Sequence, residues 1–243
     1  MDSAFTFSIL DSVDSTNNYA MGQVHAGLAK HGMAWFAKDQ TAGKGQRTKQ
    51  WESEPGMNII MSIALSVEDY DLSNTFMLNA AIAVCINEFL GQNTSDQFTI
   101  KWPNDIYWRD RKAGGILTEN IIRGDKWLWS VVGIGINVNQ VQFPVSLPNP
   151  VSLLQITGKY FDPVILAQAL HFAILQAWGK SLGEVMNNYN TSLYKRNNTV
   201  KFRKEARVFH SRVDFVDQYG LLHLNNNLME ETFSFGDIEW MIE

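Results

Sequence analysis

Residues Lys101 to Glu119 read KWPNDIYWRDRKAGGILTE, and the pattern of this stretch decides the fold. Ile106, Tyr107 and Trp108 are β-branched or aromatic and favour extended backbone. Arg109, Asp110 and Arg111 make a polar turn after them. The expected layout is strand, kink at Trp102-Pro103, strand, tight turn, strand. Gly114 and Gly115 inside the third strand mark a close approach by backbone or ligand. Lys101, Asn104 and Asp105 precede the turn and Lys112 follows it, so two lysines, an amide and a carboxylate are expected around one small volume. Such a group suits a negatively charged substrate and a metal-bound phosphate. A β-hairpin with a solvated charged tip accounts for the same residues, so other stretches must decide.

Downstream, Leu117 to Ile122 and Trp127 to Val138 are expected to pair across the turn Arg123-Gly124-Asp125-Lys126. The second strand ends in GIGINVN, Gly133 to Asn139. Its two glycines let a ligand lie flat against the backbone, or let a helix pack closely. Upstream, Phe98 to Trp102 and Asn58 to Val67 read as strands, the latter buried. Ser73 to Leu90 reads as a helix with an apolar face of Phe76, Leu78, Ala81, Ile82, Cys85 and Phe89. Cys85 is therefore a core residue and not a reactive thiol. Met33 to Lys38 is a strand that runs into the connection Asp39 to Gly56. This connection is long, polar, without structure of its own, and basic through Lys44, Arg47 and Lys49. Such loops are often functional or mobile. Gly43-Lys44-Gly45 is neither a dinucleotide fingerprint, since Thr48 stands where a third glycine is needed, nor a P-loop. It remains a basic glycine loop whose N–H groups can form an anion nest. Before it, Phe5, Phe7 and Ile9 alternate as a first strand. Asp14, Ser15 and Thr16 then open a short helix; capping explains them, and a helix start also offers N–H groups and hydroxyls to a ligand.

After residue 140 the pattern changes. Phe143 to Pro150 carries half of the six prolines and is expected as an extended loop. Asp162-Pro163 caps and starts a helix expected to run to about Tyr194, with Gly183 as its weak point. From Val200 to Ile242 short alternating strands suggest a small, partly open barrel. The fold class is α+β: a sheet with packed helices over residues 1–194, then a β-domain over 195–243.

Composition narrows the function. The chain has 243 residues, 45% hydrophobic and 19% charged, which is globular. A net charge of −5 with only 20 Lys and Arg argues against a general nucleic-acid binder. The start MDSAFTFSIL has no secretory pattern, and no apolar run approaches the ~18 residues of a membrane span. One cysteine excludes an intramolecular disulfide and a multi-cysteine zinc site. The histidines show no zinc-hydrolase spacing. A cytoplasmic protein is expected.

Five stretches taken together resemble the biotin protein ligases. They are Asp14-Ser15-Thr16-Asn17, Gln40-Thr41-Ala42-Gly43-Lys44-Gly45, Lys101-Trp102-Pro103-Asn104-Asp105, Lys112 with Gly115-Ile116-Leu117, and Gly133-Ile134-Gly135-Ile136-Asn137. Order and spacing match over about residues 5 to 140, and the last 45 or so residues resemble, more weakly, the family's SH3-like domain. The resemblance implies a mixed central sheet of the class II synthetase and biotin–lipoate ligase kind. It implies joining of biotin to ATP, with Mg2+, to give biotinyl-5′-AMP and pyrophosphate. The biotinyl group would then pass to one lysine of a biotin carboxyl carrier domain. Biotin would meet Ser15, Thr16, Asn17, Gln40, Gly43, Lys44, Gly45, Gln46, Lys112, Gly114 and Gly115. The ATP and adenylate side would involve Lys44, Gln46, Arg47, Trp51, Asn104, Lys112 and Asn137. Lys112, Asp105, Asn104 and Lys101 would carry the chemistry. No metal ligand set is assigned; Asp105 is the candidate magnesium contact. A homodimer through the exposed face of the central sheet is also implied.

Two departures stand out. Many members carry G-R-G-R-x-G where this chain has G-K-G-Q-R-T, Gly43 to Thr48. Lys44 loses the bidentate fork of arginine, and Gln46 loses a charge, so weaker adenylate retention is expected. Many members also have an amino-terminal DNA-binding winged helix, and this sequence starts directly at the catalytic first strand, so no DNA partner and no membrane partner are expected. Two other readings remain open at this point: a lipoate ligase or octanoyltransferase, and a non-catalytic biotin-binding protein.

Overall fold

In the computed structural model, the described residues are 6–47, 49–147, 149–178, 182–226 and 229–241. In chain order they form β1 (Phe7–Val13), α1 (Thr16–His25), β2 (Met33–Gln40), β3 (Ile59–Ser66), α2 (Thr75–Thr94), β4 (Thr99–Lys101), β5 (Asp105–Trp108), β6 (Arg111–Arg123), β7 (Lys126–Ile136), α3 (Leu153–Thr157), α4 (Pro163–Ala177), α5 (Leu182–Thr191), β8 (Thr199–Lys204), β9 (Arg207–Val216), β10 (Leu222–Asn225), β11 (Glu230–Phe233) and β12 (Glu239–Met241). These pack as two compact units. One joins residues up to 72 with 111–178; the other joins 73–110 with the residues from 182 onward. The sequence expectation divides the chain at 194/195, whereas by packing the residues after 195 group with 73–110.

In the first unit the strands lie in the order β1-β2-β3-β7-β6. β1 and β2 are parallel and the other neighbours antiparallel, so the sheet is mixed. β3 is buried along nearly its whole length, as a run of Ile, Met, Ala and Leu requires when both faces are covered. Residues directly opposed in the ladder share a face. Trp35, Ser62, Gly133 and Leu117 therefore lie on one face. There α1 packs, with Ala20 among Trp35, Ala64 and Val131. Phe36 lies on the other face, where Phe7 bridges it to His171 of α4 with ring centroids 6.2 and 5.7 Å away.

α4 starts as expected, with the Asp162 carboxylate accepting from the Val164 and Ile165 N–H groups and Pro163 in the first turn. It stops at Ala177, because Trp178 turns extended and packs its ring against His31 and Tyr70, 5.2 and 5.5 Å away. The single helix expected from 163 to 194 is thus two helices, and Gly183 falls inside α5. The short α3 was not expected. Its capping box, Ser152 with Gln155, carries the signature in sequence but sits directly behind the proline loop.

His171 is 4% exposed, and its Nε2 lies 2.8 Å from the Gly32 carbonyl oxygen. A carbonyl only accepts, so Nε2 carries the proton. Burial lowers the His171 pKa, partly opposed by the Gly32 hydrogen bond. A base whose folded pKa is depressed binds fewer protons folded than unfolded, so stability is lost as pH falls below the ordinary value of 6.5. Urea unfolding of the protein is expected to show stability falling from pH 7.5 to 5.5 at a slope of up to about 1.4 kcal/mol per pH unit from this group. His171→Gln should flatten that slope; an equal slope in the variant would rule out His171 as its source.

In the second unit β4 and β5 form a hairpin with Lys101 opposite Asp105 and the cis Trp102–Pro103 peptide in its tip. Trp102 Nε1 donates to the Gly220 carbonyl at 2.9 Å, and the fully buried Tyr189 donates its hydroxyl to the Pro103 carbonyl at 2.9 Å. The expected strand–kink–strand is present and pinned by its own unit. Of the stripe read from sequence, α2 buries Leu78, Ile82 and Phe89 and leaves Phe76, Ala81 and Cys85 half-buried, and it also buries Met77, Ala80, Ala83, Val84, Ile86 and Leu90. The late strands form an antiparallel sheet, β11-β10-β9-β8-β12, over Phe202, Val213, Leu222, Leu224 and Phe233, which fits an SH3-like domain. Val208 and the Val213/Phe215 pair belong to one ten-residue strand, β9. Ile242 lies outside the described residues. Among them no helix is long and apolar enough to cross a membrane.

Candidate functional site

The site grows from the junction of β2 with α1. Ser15 is the N-cap of α1 but its side chain makes no capping bond. Gln40, the last residue of β2, does that work instead. Its Oε1 accepts from Thr16 N at 2.7 Å and Thr16 Oγ1 at 3.1 Å. The parallel register that pairs Val13 with Gln40 brings the strand end to the helix start. Beneath them, Ser62 Oγ lies 2.8 Å from Thr16 Oγ1 and 2.6 Å from Asn17 Oδ1. Thr16 has given its one proton to Gln40, so the Ser62 proton is shared by the other two oxygens. Asn17 must then turn its Nδ2 outward, where it donates to Glu119 Oε2 at 2.8 Å and to the Leu117 carbonyl at 3.4 Å. Ser15, Thr16, Asn17 and Ser62 are all buried, at 4% exposure or less. Gly133 makes room, since a Cβ there would sit 2.3 Å from Asn17 Oδ1.

The glycine loop has more structure than its sequence suggests. Trp51 N donates to the Gly43 carbonyl, Gly45 N donates to the Lys49 carbonyl, and Lys44 bridges to Gln50, closing a small hairpin. Gly43 is required there, because a Cβ would lie 2.3 Å from the Trp51 carbonyl and 2.9 Å from Gln40 Nε2. The Gly45 N–H expected in an anion nest is already spent inside the hairpin. Thr48 lies outside the described residues. The Trp51 indole covers Gly135, with a ring carbon 2.5 Å from where a Cβ would be. Its Nε1 and the Gln46 Oε1 are buried with no hydrogen-bond partner among the described residues. Residues 42–45, Arg47, Lys49, Gln50, Leu117 and Glu119 line a cleft of about 380 Å³. Three cations and one carboxylate line it, which favours an anion.

Lys112 is the second residue of β6, and its Nζ lies 5.9 Å from the Trp51 ring centre. Its backbone is fixed on several sides. Lys112 N donates to the Asn149 carbonyl, its own carbonyl accepts from Val151 N at 2.9 Å, and Asn137 Nδ2 reaches that carbonyl at 3.3 Å. Asn137 also donates to the Val151 carbonyl at 3.2 Å. Both amide protons are thereby used, leaving Oδ1 for the adenosine contact expected of this residue. Gly115 pairs with Gly135 and shares the site face; Gly114 pairs with Ile136 and lies on the opposite face, where a Cβ would meet the Gly135 carbonyl at 2.8 Å.

Lys101, Asn104 and Asp105 belong to the other compact unit. Asn104 is buried at the hairpin tip. Lys101 donates to the Tyr107 hydroxyl at 3.1 Å and lies 5.9 Å from the Trp240 ring centre. Burial, then the charges of Asp105 and Asp110, raise the Tyr107 pKa, so the phenol stays neutral. Among the described residues no three His, Cys, Asp or Glu side chains group as a metal cage. Sequence reasoning missed Ser62 and Glu119. The available signal was a serine inside an otherwise apolar run, IIMSIALS, and an acid on the glycine-bearing strand.

Comparison with known proteins bears on this arrangement. The profile of the biotin/lipoate A/B protein ligase family matches residues 9–137, more than half of the chain. The chain is 33% identical over 164 residues to the bifunctional ligase/repressor BirA of Escherichia coli strain K12, covering 67% of this chain and 50% of that protein. It therefore spans about half the length of that relative. It is 32% identical over 164 residues to the biotin–[acetyl-CoA-carboxylase] ligase of Paracoccus denitrificans, covering 64% of this chain and 65% of that one. The solved biotin protein ligase from Aquifex aeolicus, in complex with biotin and ATP, matches with a TM-score of 0.82 at 25% identity over 98% of this chain and 99% of that one.

Proposed function

The chain belongs to the biotin/lipoate A/B protein ligase family, and from that premise we propose that it is a biotin protein ligase of the biotin–[acetyl-CoA-carboxylase] type. The observation that carries this reading is the buried set Thr16–Gln40–Ser62–Asn17 beside a cationic cleft. Biotin's ureido head has two N–H donors and one acceptor, and hydroxyl and amide groups answer both. An octanoyl or lipoyl chain has no such head. The Trp51-covered glycine strand gives the thiophane ring and valeryl chain an apolar wall. Residues 1–194 carry this chemistry in the proposal, and 195–243 form the appended β-domain.

In the first step the biotin carboxylate attacks the α-phosphorus of ATP, and the bond to the leaving pyrophosphate breaks. Two anions must approach, and Lys112 neutralises that repulsion while Lys44 and Arg47 face the phosphates. Trp51 and the Asn137 Oδ1 serve the adenosine. In the second step a carrier lysine amine attacks the acyl carbon and AMP leaves. Asn104 and Asp105 bind magnesium-ATP or orient that amine, and Lys101 supports them. Magnesium would arrive with the triphosphate. It needs only one or two carboxylates besides phosphate oxygens, which is compatible with Asp105 and with the lack of a three-residue cage among the described residues. ATP and a carrier domain as substrates put this work in the cytoplasm. The homodimer is part of the proposal, and sedimentation tests it.

The deciding experiment supplies biotin, ATP and magnesium, with and without a biotin carboxyl carrier domain. Pyrophosphate release that needs biotin, and a carrier mass increase of one biotinyl group, are expected. Tight biotin binding without pyrophosphate would make the chain a binding protein. Turnover with octanoate or lipoate instead would place it in the other branch of the family.

A further inference from the structure

The geometry points to Glu119 as a positioning residue with two separable tasks, fixing the Asn17 amide and holding Lys44 until a phosphate takes that lysine. This rests on the biotin ligase reading. Glu119 lies on β6 opposite Val131, on the same sheet face as Leu117 and Gly133. Its two oxygens have different partners. Oε2 accepts from Asn17 Nδ2 at 2.8 Å, and Oε1 pairs with Lys44 Nζ at 3.5 Å.

The first contact decides which way the Asn17 amide faces. Asn17 Oδ1 faces Ser62 while its nitrogen is drawn to the carboxylate at 2.8 Å and, more weakly, to the Leu117 carbonyl at 3.4 Å. Thr16 and Gln40 stand next in that chain of bonds. Removing the acceptor leaves the nitrogen held only by the long Leu117 bond, which loosens the whole ring-binding set.

The second contact is of another kind. It is long, and the side chains are 41% and 31% exposed, so it contributes little and is easily exchanged. Both residues line the cationic cleft. A phosphate carries more charge than one carboxylate and competes directly for the ammonium. Glu119 thus keeps Lys44 placed in the empty site, and phosphate binding displaces it from the lysine without disturbing Asn17.

Glu119→Gln separates the two tasks. The amide oxygen still accepts from Asn17, more weakly, while the charge that holds Lys44 is gone. Titration calorimetry with biotin and, separately, with inorganic pyrophosphate is the test. In Glu119→Gln, biotin binding should weaken and pyrophosphate binding should tighten, each by about two- to fivefold at low salt. The pyrophosphate gain should shrink in about 0.5 M salt and vanish in a Lys44→Met background. Glu119→Ala should weaken biotin by about tenfold, as an amide donor loses its nearer partner, and keep the pyrophosphate gain. Equal weakening of both ligands would show a merely structural role and overturn the inference, as would no change in either. Failure of the parent protein to bind biotin would sink the ligase reading instead; the pyrophosphate arm still reports on the Lys44 pair.

Discussion

Purified Lys112→Ala protein is expected to keep its fold and to release pyrophosphate from biotin and ATP at least about 100-fold more slowly than the parent, the scale of losing one preorganised charge contact to a transition state. The fold survives because Lys112 contributes to packing through its backbone. The bonds to Asn149, Val151 and Asn137 all use main-chain atoms of residue 112, which alanine retains. The ammonium is what disappears, beside the Trp51 ring. Lys112→Arg should recover only part of the rate, because the planar guanidinium distributes its charge differently. The measurement is single-turnover pyrophosphate release with circular dichroism as the control for folding. A rate within about threefold of the parent, a loss of under about 1 kcal/mol of transition-state stabilisation, would remove Lys112 from the chemistry.

Gly133→Ala is expected to lower both stability and biotin affinity through one added methyl group. The added Cβ would stand 2.3 Å from Asn17 Oδ1 and 3.0 Å from its Cγ. Asn17 cannot yield without breaking its bonds to Ser62 and Glu119. Overpacking of this kind costs about 1–3 kcal/mol of stability. Biotin affinity should fall further, by about 100-fold, because one methyl group displaces several coupled polar groups. Combining it with Asn17→Ala should restore stability and leave biotin binding impaired. Urea unfolding and calorimetry give the two readings. Unimpaired biotin binding in Gly133→Ala would show that the Asn17 set lies outside the pocket.

Much of the fold was legible because its signals are local. The β4–β5 tip, the Arg123–Lys126 turn and the Asp162-Pro163 start each lie within a few residues of their cause. The misses have distant causes. Trp178 ends α4 early because His31 and Tyr70 offer it rings, and nothing near Ala177 announces that. β9 runs on through a polar stretch because β8 and β10 both pair with it. The hairpin in the glycine loop comes from backbone bonds that composition does not reveal. In the site, Ser15 and Thr16 could be named from residue type at a helix start, and Gln40 only through the family resemblance of its stretch. Ser62 and Glu119 could not. Their bonds to Asn17 span 45 and 102 residues, and only the sheet register brings them together.

The second unit is assembled from two stretches of chain separated by residues 111–178, about half of the first. On a ribosome this imposes an order of events. The Trp102 indole emerges 118 residues ahead of the Gly220 carbonyl that accepts its hydrogen bond. At about 5–20 residues per second, the wait is roughly 6 to 24 seconds. Throughout it, α2 and the Trp102–Asn104 tip exist without the late β-strands of their unit. The nascent chain therefore presents an unfinished apolar surface well before synthesis ends, and that interval is when a chaperone would be of most use to it.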